Sequence, residues 1–271
     1  MLKQNDATRT DDQEWGTYAP GRGTWFLRLL IAGGMSRGFI GKMIRKKWKR
    51  CHPVLIDCTI RGTNYRLNVR DNTTDMKLLV SSKFYDRREI EALGTGDVFI
   101  DIGANTGYYS LTLARTAFKK VIAVEPNPPA LARLRANIRF NGLEDVITVV
   151  PCCVGLGGDV PFYCRGGLGS ASMIRPAKLT APILVKSKPL FEILTEQGIT
   201  AVDALKIDVE GYEDRALLPF FESAPQSMWP KVIVIEDYHR TDWQEDVIPK
   251  LLGLGYRTRF RTKENLILSR S

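Results

Sequence analysis

A short apolar run that breaks at glycines and resumes with helical spacing occupies residues 97–109, DVFIDIGANTGYY. Val98, Phe99, Ile100 and Ile102 suit a strand covered on both faces, and Gly103 and Gly107 bracket a tight turn before Ser110, Leu111, Leu113 and Ala114. Strand, turn and helix in that order outline a nucleotide site. A side chain at Gly103 or Gly107 would keep the backbone from closing against a ligand, and the free N–H groups of the helix start attract an anionic group. A dinucleotide fingerprint would space its glycines as GxGxxG, but counting from Gly103 puts Asn105 and Tyr108 at the second and third positions. The observed GxNxG suits a cofactor whose methionine carboxylate and amino group lie over the turn. Asp101, Gly103, Asn105, Thr106 and Gly107 are its candidate contacts.

The next element arrives in register. In VIAVEPN an apolar strand ends at Glu125, about 20 residues on, where a carboxylate can accept both hydroxyls of a ribose; the alternative is a solvated strand-end charge. Asn127 then reads as an N-cap and a further cofactor contact, Pro128 as the first helical residue, and Asn141 with Gly142 as the stop. Residues 146–150 form a third strand. The turn at 152–155 should back an adenine, with Cys153 its candidate contact, although no acidic residue lies there to hold it.

Farther along, residues 161–164 and 166–172 read as an inserted hairpin or a mobile loop over the site. Ser187 and Pro189 open a helix that Gly198 ends. The apolar strand 204–209 runs into KIDVEGYE, which brings Asp208 and Glu210 to the carboxyl edge of the sheet, where ligands bind in open α/β folds. Strand 232–236 leads to Asp237, Tyr238 and His239; a helix over 242–252 and strands at 256–260 and 266–268 complete the pattern. Of the two histidines, His52 lies in the amino-terminal extension and His239 at the ligand edge. His239 is therefore the candidate proton acceptor, with an ordinary pKa of about 6.5. Asp208 and Glu210 compete for that role, for the cofactor's amino group, or for a metal; Glu210 could instead be a charge at the next helix start.

Ahead of this core, the first 23 residues read as a loosely ordered tail. The apolar stretch 25–35 carries Arg28 and is too short to span a bilayer, and its position and flanks do not suit a secretory signal. Residues 37–50, RGFIGKMIRKKWKR, place Phe39, Ile40, Met43, Ile44 and Trp48 opposite Lys42, Lys46, Lys47 and Lys49. That face caps the domain or a homodimer partner, or else lies on an anionic membrane surface. A hairpin over 54–60 and 64–69 follows, turning at Arg61 and Gly62, and then a polar loop and helix over 83–93 with Tyr85 and Asp86 near the cofactor pocket. The expected division is a tail and basic extension over 1–53 and one large domain over 54–271. Within that domain, 54–96 form a hairpin and helix and 97–271 the cofactor-binding core.

Four ordered motifs, FIDIGANTGYYS, VIAVEPN, residues 137–142 and KIDVEGYE, resemble the FkbM family of S-adenosylmethionine-dependent methyltransferases over residues 61–271. The resemblance implies an α/β fold: a Rossmann-like seven-stranded mixed sheet of the class I methyltransferase type, with helices on both faces and a reversed last hairpin. It also implies S-adenosylmethionine as cofactor and O-methylation of a natural product or glycan.

Charge and composition bear on the alternatives. With 39 basic and 30 acidic residues the chain carries +9, which fits an acidic partner such as nucleic acid, a phosphorylated glycan or a membrane. Against a nucleic-acid methyltransferase stand the absence of a recognisable RNA-binding module and the position of the NPP triplet. Amino-directed methyltransferases carry such a motif after the fourth strand with an aromatic following, whereas here it follows the second strand and Ala130 takes the aromatic's place. A non-catalytic scaffold that keeps the cofactor fold is the other alternative. Five cysteines without CxxC or zinc spacing suit reduced thiols in a cytoplasm.

Overall fold

The computed structural model describes residues 11–21, 55–80, 87–164, 171–174 and 181–270. The basic stretch 37–50, His52, Tyr85 and Asp86 lie outside them. Among the described residues no helix is long and apolar enough to cross a membrane.

A hairpin comes first, β1 (Leu55–Ile60) and β2 (Thr63–Asn68), paired antiparallel around the expected turn at Arg61 and Gly62. Two short helices follow, α1 (Thr73–Val80) and α2 (Arg87–Leu93). The core alternates β3 (Gly96–Ile102), α3 (Tyr108–Thr116), β4 (Phe118–Val124), α4 (Pro128–Arg139) and β5 (Ile147–Val150). A small second sheet interrupts it: β6 (Cys153–Val154), β7 (Gly158–Cys164), β8 (Ala171–Ser172) and β9 (Ile183–Lys188). The core resumes with α5 (Leu190–Glu196), β10 (Ala204–Ile207), α6 (Glu213–Ser223), β11 (Val232–Glu236), α7 (Val247–Gly253), β12 (Arg257–Arg261) and β13 (Asn265–Ser269).

The main sheet has seven strands in the order β12-β13-β11-β10-β3-β4-β5, with β13 antiparallel to β11 and the five strands from β11 to β5 parallel. This is the mixed sheet with a reversed last hairpin that the motifs led us to expect. Successive side chains on a strand point to opposite faces, so each buried strand feeds two cores. Phe99, Val121, Ala204 and Val234 pack with the hairpin and α1 to α4, while Ile100, Ile122, Leu205 and Ile233 pack with α5, α6 and α7. Strand order reverses between β3 and β10. A ligand cleft forms at such a switch point, at the carboxyl ends of the strands.

Several expectations change. Ser187, expected to open a helix, lies in β9 and the helix starts after Pro189, while the hairpin expected at 161–172 is one part of the small sheet that β9 joins. The helix expected from Asp242 begins only at Val247, because Asp246 caps it by accepting from the Ile248 amide at 3.1 Å. The tail also differs: its residues 11–21 are docked onto the hairpin by Arg66, which is fully buried. Arg66 donates to both oxygens of Asp57, at 2.8 and 2.9 Å, and to the carbonyls of Asp11, Gln13 and Glu14. Asp57 in turn accepts from the amides of Gly16 and Tyr18, and the guanidinium lies 4.6 Å from the ring centroids of both Tyr18 and Phe140.

Removing one partner of a buried, hydrogen-bonded pair strands the other charge. Asp57→Ala should therefore cost about 3–5 kcal/mol of stability. Chemical denaturation measures it, and protease cleavage within residues 11–21 should accelerate; a loss below about 1 kcal/mol would mean that the pair behaves as a surface ion pair.

Candidate active site

Register alone assembles the centre of the site. Asp101 pairs with Lys206 on one side and Ala123 on the other, and Lys206 pairs with Val234. The last register pairs join Val124, Ile102, Ile207 and Ile235, and the residues that follow them at the carboxyl edge are Glu125, Gly103, Asp208 and Glu236. Three carboxyl-bearing residues thus end or follow a row of adjoining strands, with a gap at the glycine where no side chain rises. Parallel strands lie about 4.8 Å apart, so the gap is roughly the width of one strand.

Gly103 and Gly107 also stand where the chain itself leaves little room for a side chain. Gly103 has φ +78°, and a Cβ there would come 2.0 Å from the Asp208 carbonyl oxygen. Gly107, at φ +96°, would place its Cβ 2.6 Å from Leu134. Both glycines serve close approach of chain to chain, which holds the turn open beneath whatever sits above it.

The turn is gripped from several sides. Glu125 accepts from the Asn105 amide at 2.8 Å and from the Asn127 amide at 2.9 Å, so the carboxylate ties the ends of β3 and β4 together. Burial pushes its carboxyl up to about 7. The Asn105 side chain accepts from Asn72 at 2.8 Å. Thr106, expected as a cofactor contact, is anchored to the scaffold through two of its groups: its hydroxyl donates to Asp75 at 2.7 Å and its carbonyl accepts from Asn137 at 2.9 Å. Asp75 and Asp71 share the buried Arg133 with Asp11, so α1 and the docked tail reach the 103–107 turn through one network.

Asn127 sits at the N-cap of α4, as expected, but its side chain makes no capping bond. Its Oδ1 and Nδ2 are both buried without a partner among the described residues. Asp101 holds the start of α3, accepting from the Ser110 amide at 3.0 Å and its hydroxyl at 2.6 Å, while its Oδ1 is likewise unpartnered. Cys153 is buried in the small core with Phe162 and Val185, and burial, together with the nearby Cys152 and Glu125, pushes its thiol far above the ordinary range.

Lys206 lies buried between the two carboxylates and donates to Asp208 at 3.0 Å. Burial alone would push the ammonium down, but Asp208 and Asp101 hold it above the ordinary lysine value. Beside them His239 is set between two carboxylates, with Nε2 3.1 Å from Glu210 and Nδ1 3.7 Å from Asp242. Glu210, at φ +56°, is turned toward the histidine, and the first turn of α6 belongs to Glu213 and Asp214. Glu213 accepts from the Val209 amide at 2.8 Å and from Trp243 Nε1 at 2.7 Å; Asp214 accepts from the amides of Gln244 and Glu245. Those bonds strap the loop carrying His239 onto α6. Among the described residues no group of three or more His, Cys, Asp or Glu side chains is arranged to hold a metal ion.

The sequence matches the profile of the Methyltransferase FkbM domain over residues 101–258, from the strand end at Asp101 through to β12. This chain belongs to the FkbM methyltransferase family. A ribosomal protein L11 methyltransferase of Bacillus cereus (strain G9842) is 24% identical over 127 residues, 42% of this chain and 41% of that protein. The counterpart from Bacillus anthracis is 25% identical over the same length, so the chain spans about two fifths of the length of the curated relatives it matches. Among solved structures, the FkbM methyltransferase of Methylobacillus flagellatus KT is 21% identical, with a TM-score of 0.44 over 64% of this chain and 43% of that one. TrmK of M. capricolum, solved with S-adenosylhomocysteine, is 13% identical, with a TM-score of 0.42 over 68% of this chain and 66% of that one.

Three residues of this FkbM domain escaped the sequence reading. Lys206 is a lysine inside an otherwise apolar buried strand, ALKI, and that oddity was itself a signal. Glu236 ends β11 as Glu125 ends β4, which was legible once the strands were aligned. Glu213 closes the KIDVEGYE motif, but its hold on the Val209 amide and Trp243 gave no local sign.

Proposed function

We propose that this FkbM-family chain transfers a methyl group from S-adenosylmethionine to a hydroxyl on a glycan or a small natural-product-like acceptor. The observation that carries the reading is the row of Glu125, Asp208 and Glu236 with its gap at Gly103, beside buried polar atoms of Asn127 and Asp101 that the protein leaves unpartnered. Such a donor and acceptor set fits this cofactor. Glu125 and Asn127 would hold the ribose, Asp101 and Asp208 the amino group, and the Thr106 amide the carboxylate, the amides of Gly103, Ala104, Asn105 and Gly107 being engaged by Val124, Glu125 and Ala104. Cys153 and the β6 backbone would lie behind the adenine.

When bound, the sulfonium supplies an electrophilic methyl carbon. A neutral alcohol is a poor nucleophile unless its proton leaves as the new bond forms, so a base belongs beside it. His239 takes that role in our reading. Its Nε2 lies 3.1 Å from Glu210, which favours a proton on that nitrogen, and the 3.7 Å from Nδ1 to Asp242 is longer than a hydrogen bond. Nδ1 is therefore the nitrogen left to receive a proton, and Asp242 stands where it stabilises the imidazolium.

Two measurements test the reading. Labelled methyl donor incubated with the protein and a metabolite extract should label a hydroxyl-bearing product; cofactor binding without any product would favour a scaffold. By calorimetry Glu125→Ala should weaken cofactor binding by about 1.5–3 kcal/mol, the range for hydrogen bonds to a charged group. Unchanged affinity would remove Glu125 from the ribose.

A further inference from the structure

One oxygen of the Glu236 carboxyl has no partner among the described residues. Oε1 accepts from the Tyr238 amide at 3.0 Å, while Oε2 is buried and unpartnered there. The residue is 6% exposed and ends β11, whose Ile235 pairs with Ile207, the residue before Asp208. Negative groups face it from several elements. Asp208 and Glu210 follow β10, and Glu213 opens α6. The cations nearby are engaged elsewhere: Lys206 with Asp208, and Arg261 with Asp237. From α2, which packs against β11, Glu89 is held by Tyr109, Thr262 and Asn265. Asn265 is also the register partner of Glu236 on β13. Burial, then Asp208, Glu213 and Glu210, push the Glu236 carboxyl up to about 9. Near neutral pH it carries a proton.

A neutral carboxyl among carboxylates responds to an arriving cation by ionising, because each positive charge nearby favours the charged form. Extending the methyl-donor reading, we propose that Glu236 exchanges a proton for the positive charge of the donor: it releases its proton to solvent when a sulfonium enters the row, and recovers one when that charge is consumed. The balance closes. As the acceptor oxygen bonds to the methyl carbon, the carbon–sulfur bond breaks with its electron pair left on sulfur. The acceptor's proton passes through His239 to the Glu236 carboxylate. One proton has then gone to solvent per turnover, as conversion of an alcohol and a sulfonium into an ether and a thioether requires. The device also separates donor from product, since the neutral thioether gives Glu236 nothing to ionise against.

Calorimetric titration in buffers of different ionisation enthalpy counts the protons. At pH 7.5 the intact chain should release about one proton on binding S-adenosylmethionine and markedly fewer on binding S-adenosylhomocysteine, which lacks the sulfonium charge. In Glu236→Gln, a substitution of nearly the same shape, the difference between the two ligands should vanish, and the tighter binding of the charged ligand should shrink with it. Equal proton counts for the two ligands in the unsubstituted protein, or an unchanged difference in the variant, would overturn the proposal while leaving the methyl-donor reading intact. Failure of both ligands to bind the unsubstituted protein would overturn that reading and this inference with it.

Discussion

His239→Ala should lower methyl transfer by about 10²-fold or more, the range for loss of a general base, while leaving cofactor affinity within about twofold. The expected split follows from position. His239 lies beyond the end of β11 and touches Glu210 and Asp242, whereas the residues that tie down the 103–107 turn, Glu125, Asn105 and Gly103, follow the ends of β4 and β3. Glu210→Gln should give a smaller loss, because an amide still orients the ring but no longer stabilises its protonated form. The pH profile separates this from a packing defect: loss of a base removes the acidic limb of kcat, and loss of packing lowers the profile without changing its shape. Full activity of the alanine variant with the acceptor found by labelling would shift the proton to Asp208. Asp208→Asn should impair both binding and turnover, since its carboxylate also holds Lys206 in place.

The sheet was legible because its strands are apolar on both faces and end in charges. FIDIG, VIAVE, ALKID and VIVIE each announce a buried strand whose last residues meet a ligand edge, and the parallel register then aligns the charges. The small sheet was not legible. β6 is two residues long, and in β9 Val185 and Ser187 face inward while Leu184 is 75% exposed, so its hydrophobic alternation is broken. The scaffold of the cofactor turn was hidden for another reason. Asp75 sits in a polar stretch that looks solvated, and only Arg133, 58 positions later, and Thr106, 31 positions later, make it a buried anchor. Burial pushes its carboxyl up to about 6 even so. Partnerships across such separations leave no local pattern. The same holds for Arg66, whose ties to residues 11–14 turn part of an apparent tail into a packed segment.

The glycines of the cofactor turn lead to the second large effect, on stability. Gly103→Ala puts a side chain on a residue at φ +78°, a left-handed backbone that costs a non-glycine residue about 1–3 kcal/mol. It also drives the new Cβ to 2.0 Å from the Asp208 carbonyl, so backbone must shift. Overpacking of that kind adds about 1–3 kcal/mol, so the loss should be about 2–6 kcal/mol. For a domain of this size that lowers Tm by about 4–24 °C. The shift cannot stay local. Asp208 is held to β3 by its own amide, which donates to the Ile102 carbonyl at 3.0 Å, so moving its carbonyl away from residue 103 strains the β3–β10 pairing at the switch point. The Gly103 and Ala104 amides both donate to the Val124 carbonyl, at 2.9 and 3.0 Å, so the turn cannot yield toward β4 without losing those bonds. Cofactor affinity should therefore fall together with Tm. The comparison variant is Gly142→Ala, also at positive φ (+60°) but with open space where the Cβ would go. It should show the conformational cost alone, leaving cofactor affinity unchanged. Equal losses of Tm in the two variants would mean that the close approach to Asp208 contributes nothing.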